Sequence, residues 1–178
     1  MKLVVETAAG LQQLLDEAGR PFCFIGGVAV QRWGEGRMTK DADAAVLTEL
    51  GDEQVVIETF ADRYSFRNED ALSWATVHRL VLLQDPRTGV GLDLSLASSG
   101  FELDAIGRAS DCDFGGGYVL RTCSAEDLIV YKAIAGILER QRGRLDHDLI
   151  DRQLEPLVAL KEEPEIIARY VELKDRYA

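Results

Sequence analysis

Apolar residues follow two different spacings along this chain, and each spacing predicts a type of element. Leu11, Leu14, Leu15 and Ala18 recur every three or four residues, which is typical of an amphipathic helix, predicted here over residues 7–19. The short apolar run 22–25 that follows suits a buried strand. The same reasoning predicts further helices at 27–33, 52–62 and 101–109, and further strands at 42–47, 79–84, 90–96 and 118–121.

The last third of the chain has a purely helical pattern. Ser124, followed three residues later by Asp127, has the form of a helix N-cap, and further helices are predicted at about 146–159 and 165–177. We therefore predict an α/β (α+β) fold with two parts. Residues 1–123 form a small mixed or antiparallel sheet with flanking helices, and residues 124–178 form a C-terminal helical segment packed on that core.

Composition is ordinary for a globular domain. Of the 178 residues, 47% are hydrophobic and 29% are charged, and no apolar run approaches the roughly 20 residues of a membrane span. An acidic residue interrupts the apolar start almost at once, so we expect no signal peptide and a cytoplasmic location. The three cysteines form no Cys-x-x-Cys pair, which argues against a disulfide framework and a zinc site.

The net charge of −11 bears on the choice of partner. A broad nucleic-acid surface normally carries a basic patch, and this acidic chain is not typical of such proteins. A basic groove can still exist on an acidic protein, so RNA stays open as a partner beside a protein hydroxyl or a small molecule.

Two short motifs carry the candidate chemistry. Asp41 and Asp43 are two residues apart on a predicted strand, so their carboxylates point to the same side and need a cation between them. Oxygen ligands of this kind suit Mg²⁺. Upstream, Gly26 and Gly27 end a strand and open a helix, where bare backbone can approach a phosphate.

Together these motifs resemble the nucleotidyltransferase superfamily of polymerase-β type. The arrangement of Arg37, Thr39, Asp41 and Asp43 is similar to the branch that holds the AbiEii-type toxins. The resemblance implies a polymerase-β-type core and an enzyme dependent on Mg²⁺ or Mn²⁺. That enzyme moves a nucleoside monophosphate from a nucleoside triphosphate, such as ATP, to an acceptor hydroxyl on RNA or tRNA, a protein or a small molecule. It also implies a toxin role, with an antitoxin as partner.

Asp93 is the candidate third carboxylate. It is a lone acid in the apolar strand predicted at 90–96, where burying an unpaired charge is costly. It also matches the place of the family's third acid. We predict that Asp93, like Asp41 and Asp43, is both a metal ligand and a catalytic residue; the alternative is an ordinary strand carboxylate.

The resemblance also implies residues that bind the nucleotide. Gly26 and Gly27 would place backbone N–H groups near the triphosphate, and Lys132, which follows a Glu-Asp-Leu segment on a helix, would contact the outer phosphates. Arg37, Thr39 and Asp148 are further candidates. Asp148 belongs to an Asp-x-x-Asp pair, and His147, directly before this pair, stands where the family has an arginine. Each residue has a plainer alternative as a tight turn or a surface group.

Two other functions stay open. A non-catalytic nucleotide- or partner-binding module could use the same fold, although it would be expected to lack one of the acids. A nuclease or phosphotransfer enzyme on another fold could also use an Asp-x-Asp pair. Trp74, in a polar stretch, is either a packing residue or part of a substrate mouth.

Overall fold

The computed structural model describes residues 1–34, 36, 38–132, 141, 144–161, 167–168, 170–172 and 174. Within these residues the chain alternates between helices and strands before ending in helices. The helices are α1 (Lys2–Glu17), α2 (Gly26–Trp33), α3 (Glu53–Ala61), α4 (Ala71–His78), α5 (Gly100–Gly107), α6 (Ala125–Lys132) and α7 (His147–Lys161). The strands are β1 (Phe22–Ile25), β2 (Asp41–Leu47), β3 (Ser65–Phe66), β4 (Leu80–Gln84), β5 (Gly91–Ala97), β6 (Ser110–Asp113) and β7 (Val119–Thr122).

The strands form one mixed sheet of seven strands in the order β3-β4-β5-β2-β1-β7-β6. The central pair β2 and β5 is parallel, as is the pair β1 and β7, and the other neighbours are antiparallel. The sheet therefore brings β2 and β5 side by side although more than forty residues separate their starts.

Helices cover both faces of this sheet. On one face, α1 and α3 pack on the alternate residues Ala42, Ala44 and Val46 of β2. On the other face, α2, α5, α6 and α7 pack around Ala45 and its neighbours. Because side chains alternate along a strand, Asp41 and Asp43 lie on the same face as Ala45, towards α2. No helix in the described part of the chain is long and apolar enough to cross a membrane.

An ion pair joins the end of α5 to the start of α6. Asp127 is 1% exposed, and its two carboxylate oxygens accept hydrogen bonds from Arg108 Nη2 at 2.6 Å and Nε at 3.2 Å. The hydrogen bond to Asp127 raises the pKa of Arg108. Ser124 Oγ accepts from the Asp127 backbone N–H, which confirms the predicted N-cap. The α/β part and the helical part are thus tied together by a buried charge.

The predicted fold class is confirmed, and three elements were missed. β3 has only two residues, and the exposed edge strand β6 is polar, so neither shows an alternating apolar pattern. Helix α4 buries only Ala75 fully and has almost no amphipathic stripe. Most of the helix predicted at 165–177 lies outside the described residues, and the predicted boundary at residue 124 stays a prediction.

Candidate active site

The register of the central strands brings the three predicted carboxylates onto one face of the sheet. Asp43 on β2 is paired directly with Asp93 on β5, and Asp41 is paired with Gly91. Neighbouring strands lie about 4.8 Å apart, so Asp43 and Asp93 are adjacent across the ladder. We call Asp41, Asp43 and Asp93 the three-aspartate face. Each of the three is partly buried.

The glycine pair at the start of α2 has no side chains, and this leaves room for neighbouring side chains at the three-aspartate face. Gly26 has a φ of +54°, and a Cβ built on it would lie 2.0 Å from Asp43 Oδ2. The backbone N–H of Gly27 donates to the same Oδ2 at 3.2 Å. A carboxylate at a helix N-terminus is stabilised by the helix dipole. Of the two N–H groups predicted near a triphosphate, that of Gly27 therefore contacts Asp43 here.

Thr39 and Gly91 complete the packing around the start of β2. The Thr39 hydroxyl donates to the backbone carbonyl of Asp41 at 2.9 Å, and a Cβ on Gly27 would lie 2.4 Å from that hydroxyl oxygen. A Cβ on Gly91 would lie 2.5 Å from Asp41 Oδ1. Gly91 was missed in the sequence, since its importance depends on the pairing of β2 with β5.

Arg67 is a second residue that the sequence did not single out. Its guanidinium forms an ion pair with the Asp93 carboxylate, and the two side chains are 33% and 35% exposed. The Arg67 backbone N–H donates to the Leu82 carbonyl at 2.9 Å, which continues the pairing of β3 with β4. A strand pattern two residues long carries no signal that would have predicted this contact.

The donor chemistry of the three-aspartate face fits a hard divalent cation. Carboxylate oxygens on one face, with backbone brought close by glycines, are the ligands that Mg²⁺ takes in proteins. Within the described part of the chain, however, no three His, Cys, Asp or Glu side chains are already grouped to hold a metal ion. In this structure the Asp93 carboxylate is instead in an ion pair with Arg67.

The structure does not bring the remaining predicted residues to the three-aspartate face, or does not describe them. Lys132 is the last residue of α6, and its side chain lies outside the described residues. Asp148 is exposed in the first turn of α7. Arg37 is outside the described residues. The roles given to these three residues stay predictions.

A groove lies beside β4, and its lining includes Leu82 but none of the three aspartates. It has a volume of about 550 Å³ and is lined by Asn68, Glu69, Asp70, Ser73, Trp74, Val77, His78 and Leu82. Leu82 is paired with Asp93 across the ladder, so the two side chains share a face. Trp74 is 38% exposed and contacts the His78 ring, with 4.0 Å between ring centroids and 39° between the ring planes. Trp74 is therefore a wall of this groove rather than a core residue. We call it the α4 groove.

A larger cavity, of about 870 Å³, lies elsewhere. Its walls come from the start of α1, the end of α2 and the hairpin of β6 and β7. Of the predicted site residues that the structure describes, none is in this lining. Its size alone does not connect it with the three-aspartate face, which remains the candidate active site because it gathers the ionisable groups.

Comparison with known proteins relates the chain to others by fold. No protein-family model matches it. No curated protein matches it either. Among solved structures, it is similar to an antigenic nucleotidyltransferase-like protein from Paracoccidioides brasiliensis, at 13% identity and a TM-score of 0.54, over 99% of this chain and 89% of the other.

Two antibiotic-modifying proteins are also similar, with lower TM-scores. ANT(2'')-Ia, in complex with adenylyl-2''-tobramycin, is 16% identical with a TM-score of 0.49, over 98% of each chain. The lincosamide antibiotic adenylyltransferase LnuA, bound to lincomycin, is 13% identical with a TM-score of 0.47, over 82% of this chain and 90% of the other. Sequence identity to the Paracoccidioides protein is low, so this similarity concerns the fold alone: the chain has the nucleotidyltransferase fold.

Proposed function

We propose that this protein is a nucleotidyltransferase that uses Mg²⁺ or Mn²⁺ and moves a nucleoside monophosphate from a nucleoside triphosphate to an acceptor hydroxyl. One observation carries the proposal: Asp41, Asp43 and Asp93 share one face of the sheet beside the glycine-opened N-terminus of α2. On this fold, such a combination of carboxylates and bare backbone is suited to phosphate chemistry.

The three-aspartate face would hold the metal. When bound, divalent cations hold the attacking and leaving oxygens of an in-line displacement and neutralise developing charge. Asp43 would be kept in place by Gly27, and Asp41 by the Thr39 contact to its backbone. Asp93, which is opposite Leu82 of the α4 groove, would accept the proton of the acceptor hydroxyl.

The triphosphate would lie over the start of α2. The helix dipole and the close approach allowed by Gly26 and Gly27 support an anion there. Lys132 would contact the outer phosphates. Thr39, Arg37 and Asp148 are the remaining residues proposed for the nucleotide.

The α4 groove would admit the acceptor. Its lining residue Leu82 is opposite Asp93, it has acidic residues at one end, and it exposes Trp74. These features favour a small hydroxylated molecule carrying positive charge. The net charge of −11 points the same way. RNA and a protein side chain are the competing acceptors, and a toxin role with an antitoxin partner rests on the AbiEii-like motif alone.

The experiment is a thermal-shift panel of ATP, GTP, CTP and UTP, each with and without Mg²⁺. A ligand at about a hundred times its dissociation constant stabilises a fold by roughly 2.7 kcal/mol, which is about 5–10 °C for a chain of this size. We expect a Mg²⁺-dependent rise with at least one triphosphate. The rise should disappear in Asp41→Asn, whose own melting temperature should match that of the wild-type protein.

Transfer itself is tested with the α-labelled form of the triphosphate that binds. Label should pass to one of three acceptors, namely bulk tRNA, an unrelated protein or an aminoglycoside-type antibiotic, and Asp93→Asn should abolish the transfer. Nucleotide binding with no transfer of label to any acceptor and no release of pyrophosphate would instead support the non-catalytic module. The Arg67–Asp93 ion pair is also compatible with such a module.

A further inference from the structure

We propose that Arg67 is an internal counter-ion of the active site, which competes with the divalent cation for Asp93 and must leave that carboxylate before a metal ion binds. The inference rests on the proposed metal site. The counter-ion role goes beyond that metal site, because it assigns a positioning role to Arg67, a residue outside the motifs of the family.

Sheet register places Arg67 in line with two of the acids. Its backbone N–H pairs with the carbonyl of Leu82, and Leu82 is opposite Asp93, which is opposite Asp43. One row therefore runs from Arg67, directly after β3, across β4 and β5 to β2. The Arg67 side chain spans the width of β4, over Leu82, to reach the Asp93 carboxylate.

The same guanidinium also lies near Asp41. The empty Cβ position of Gly91 is 3.3 Å from Arg67 Nη1 and 2.5 Å from Asp41 Oδ1, so both groups border one small space. Arg67 therefore introduces a positive charge where the strand register would otherwise bring carboxylates together. A cation placed there lowers the repulsion among the acids in the absence of metal.

The contact is of the kind that a divalent cation can displace. Both side chains are about one-third exposed, and exposed ion pairs contribute little to stability because water screens them. Arg67 is also near the end of a two-residue strand, where its side chain can turn away without breaking the sheet. The absence of a ready three-acid cluster among the described residues fits this resting arrangement.

The consequence is that Arg67 weakens metal binding and sets the metal concentration at which the site fills. Removing its charge should tighten binding through two effects, since the metal no longer displaces an ion pair and no longer meets a nearby positive charge. A purely structural ion pair would have the opposite signature: its loss would lower the stability of the metal-free protein and leave metal affinity unchanged.

The test measures binding of Mn²⁺ alone, from the free-ion signal in electron paramagnetic resonance, at fixed pH and salt. The proteins are the wild type, Arg67→Gln, Arg67→Lys, Asp41→Asn and the matched control Arg63→Gln, which makes the same charge change at an exposed position four residues earlier. Metal-free melting temperatures are recorded for all five.

We expect the Mn²⁺ dissociation constant of Arg67→Gln to fall about three- to tenfold below that of the wild type. Arg67→Lys and Arg63→Gln should stay within about twofold of the wild type, because the first keeps the charge and the second lies outside the row. Equal affinities in the wild type and Arg67→Gln, with binding lost in Asp41→Asn, would overturn the counter-ion role and leave the metal site standing. Binding that survives in Asp41→Asn, or no Mn²⁺ binding by any variant, would overturn the metal site as well.

Discussion

Gly91 is the first residue of β5, and a side chain in a strand normally adds packing and stability. Its missing Cβ instead makes room for the carboxylate of Asp41, just as the missing Cβ of Gly26 makes room for that of Asp43. The two glycines differ in one respect: Gly26 has a positive φ, and Gly91 does not. Substitution of Gly91 should therefore change mainly the geometry of the site, whereas substitution of Gly26 should also lower the stability of the fold.

We predict that Gly91→Ala turns the movable Asp41 carboxylate aside and changes the free energy of unfolding by less than about 1 kcal/mol. Mn²⁺ affinity should fall at least about tenfold, because one of the proposed ligands would be misplaced. Gly26→Ala should cost about 1–2 kcal/mol from backbone strain and more from overlap with Asp43. Urea denaturation and Mn²⁺ titration measure both effects.

Gly107→Ala is the control for this series, since in the described part of the chain no heavy atom beyond its chain neighbours and its own helix backbone lies within 4 Å of its Cβ position. It should leave metal binding unchanged. If Gly91→Ala kept wild-type Mn²⁺ affinity, Asp41 would not be a ligand in the position that the structure gives it.

The cysteines predict a pH dependence at the residue scale. Burial, with smaller contributions from the carboxylates of Asp127 and Glu102, raises the pKa of Cys23 from 9.0 to about 12, and burial also raises the pKa of Cys123. Cys112 is partly exposed. At pH 8, a thiol reagent should therefore titrate one cysteine rapidly in the native protein and three in guanidinium, and Cys112→Ser should remove the fast phase.

The same shifts fix the sign of an effect on stability. A thiol whose pKa is higher in the folded state favours folding fully below pH 9, and this contribution is lost as pH rises from 9 towards 12. Melting temperature should fall over that range. A native protein with three fast thiols at pH 8 would contradict the buried positions of Cys23 and Cys123.

At the scale of elements, the ion pair between α5 and α6 allows the contribution of one contact to be tested by a single substitution. Arg108→Leu leaves the Asp127 carboxylate buried and without its guanidinium partner, which should cost about 2–4 kcal/mol in the free energy of unfolding. Adding Asp127→Asn to Arg108→Leu removes the unpaired charge and should recover part of the loss. Urea denaturation of the two single variants and the double variant measures the coupling, and simple additivity would contradict a direct pair.

Elements with strong local patterns were predictable from the sequence, and those defined by pairing were not. The apolar runs at β1 and β5 and the stripe of α1 gave the correct element types, because burial itself imposes those patterns. β3 and β6 are held by hydrogen bonds to neighbours, and their composition shows no apolar alternation. The candidate site follows the same rule. Asp41, Asp43 and Asp93 were found as local motifs, whereas Gly91 and Arg67 acquire roles only once β3, β4, β5 and β2 are aligned.

At the scale of the whole molecule, charge separates the competing acceptors. The chain carries 31 acidic and 20 basic side chains, and several arginines in the described residues are already held in ion pairs with carboxylates, among them Arg79, Arg108 and Arg121. These guanidinium groups are poorly placed to neutralise a row of phosphates. An RNA backbone would need several free cations along one surface, since each phosphate contact contributes through the release of counterions.

We therefore predict that the protein binds bulk tRNA more weakly than about 100 µM at 0.15 M salt, outside the usual range for non-specific nucleic-acid binding. Filter binding over a series of salt concentrations tests this, with and without Mg²⁺ and the triphosphate identified in the thermal-shift panel. A small cationic acceptor would behave differently: its binding should quench Trp74 fluorescence in a Trp33→Phe background, and the signal should be lost in Trp74→Phe. Micromolar tRNA binding that weakens steeply with salt would instead mean that the bound nucleotide or metal creates a basic surface, and the acceptor search would return to RNA.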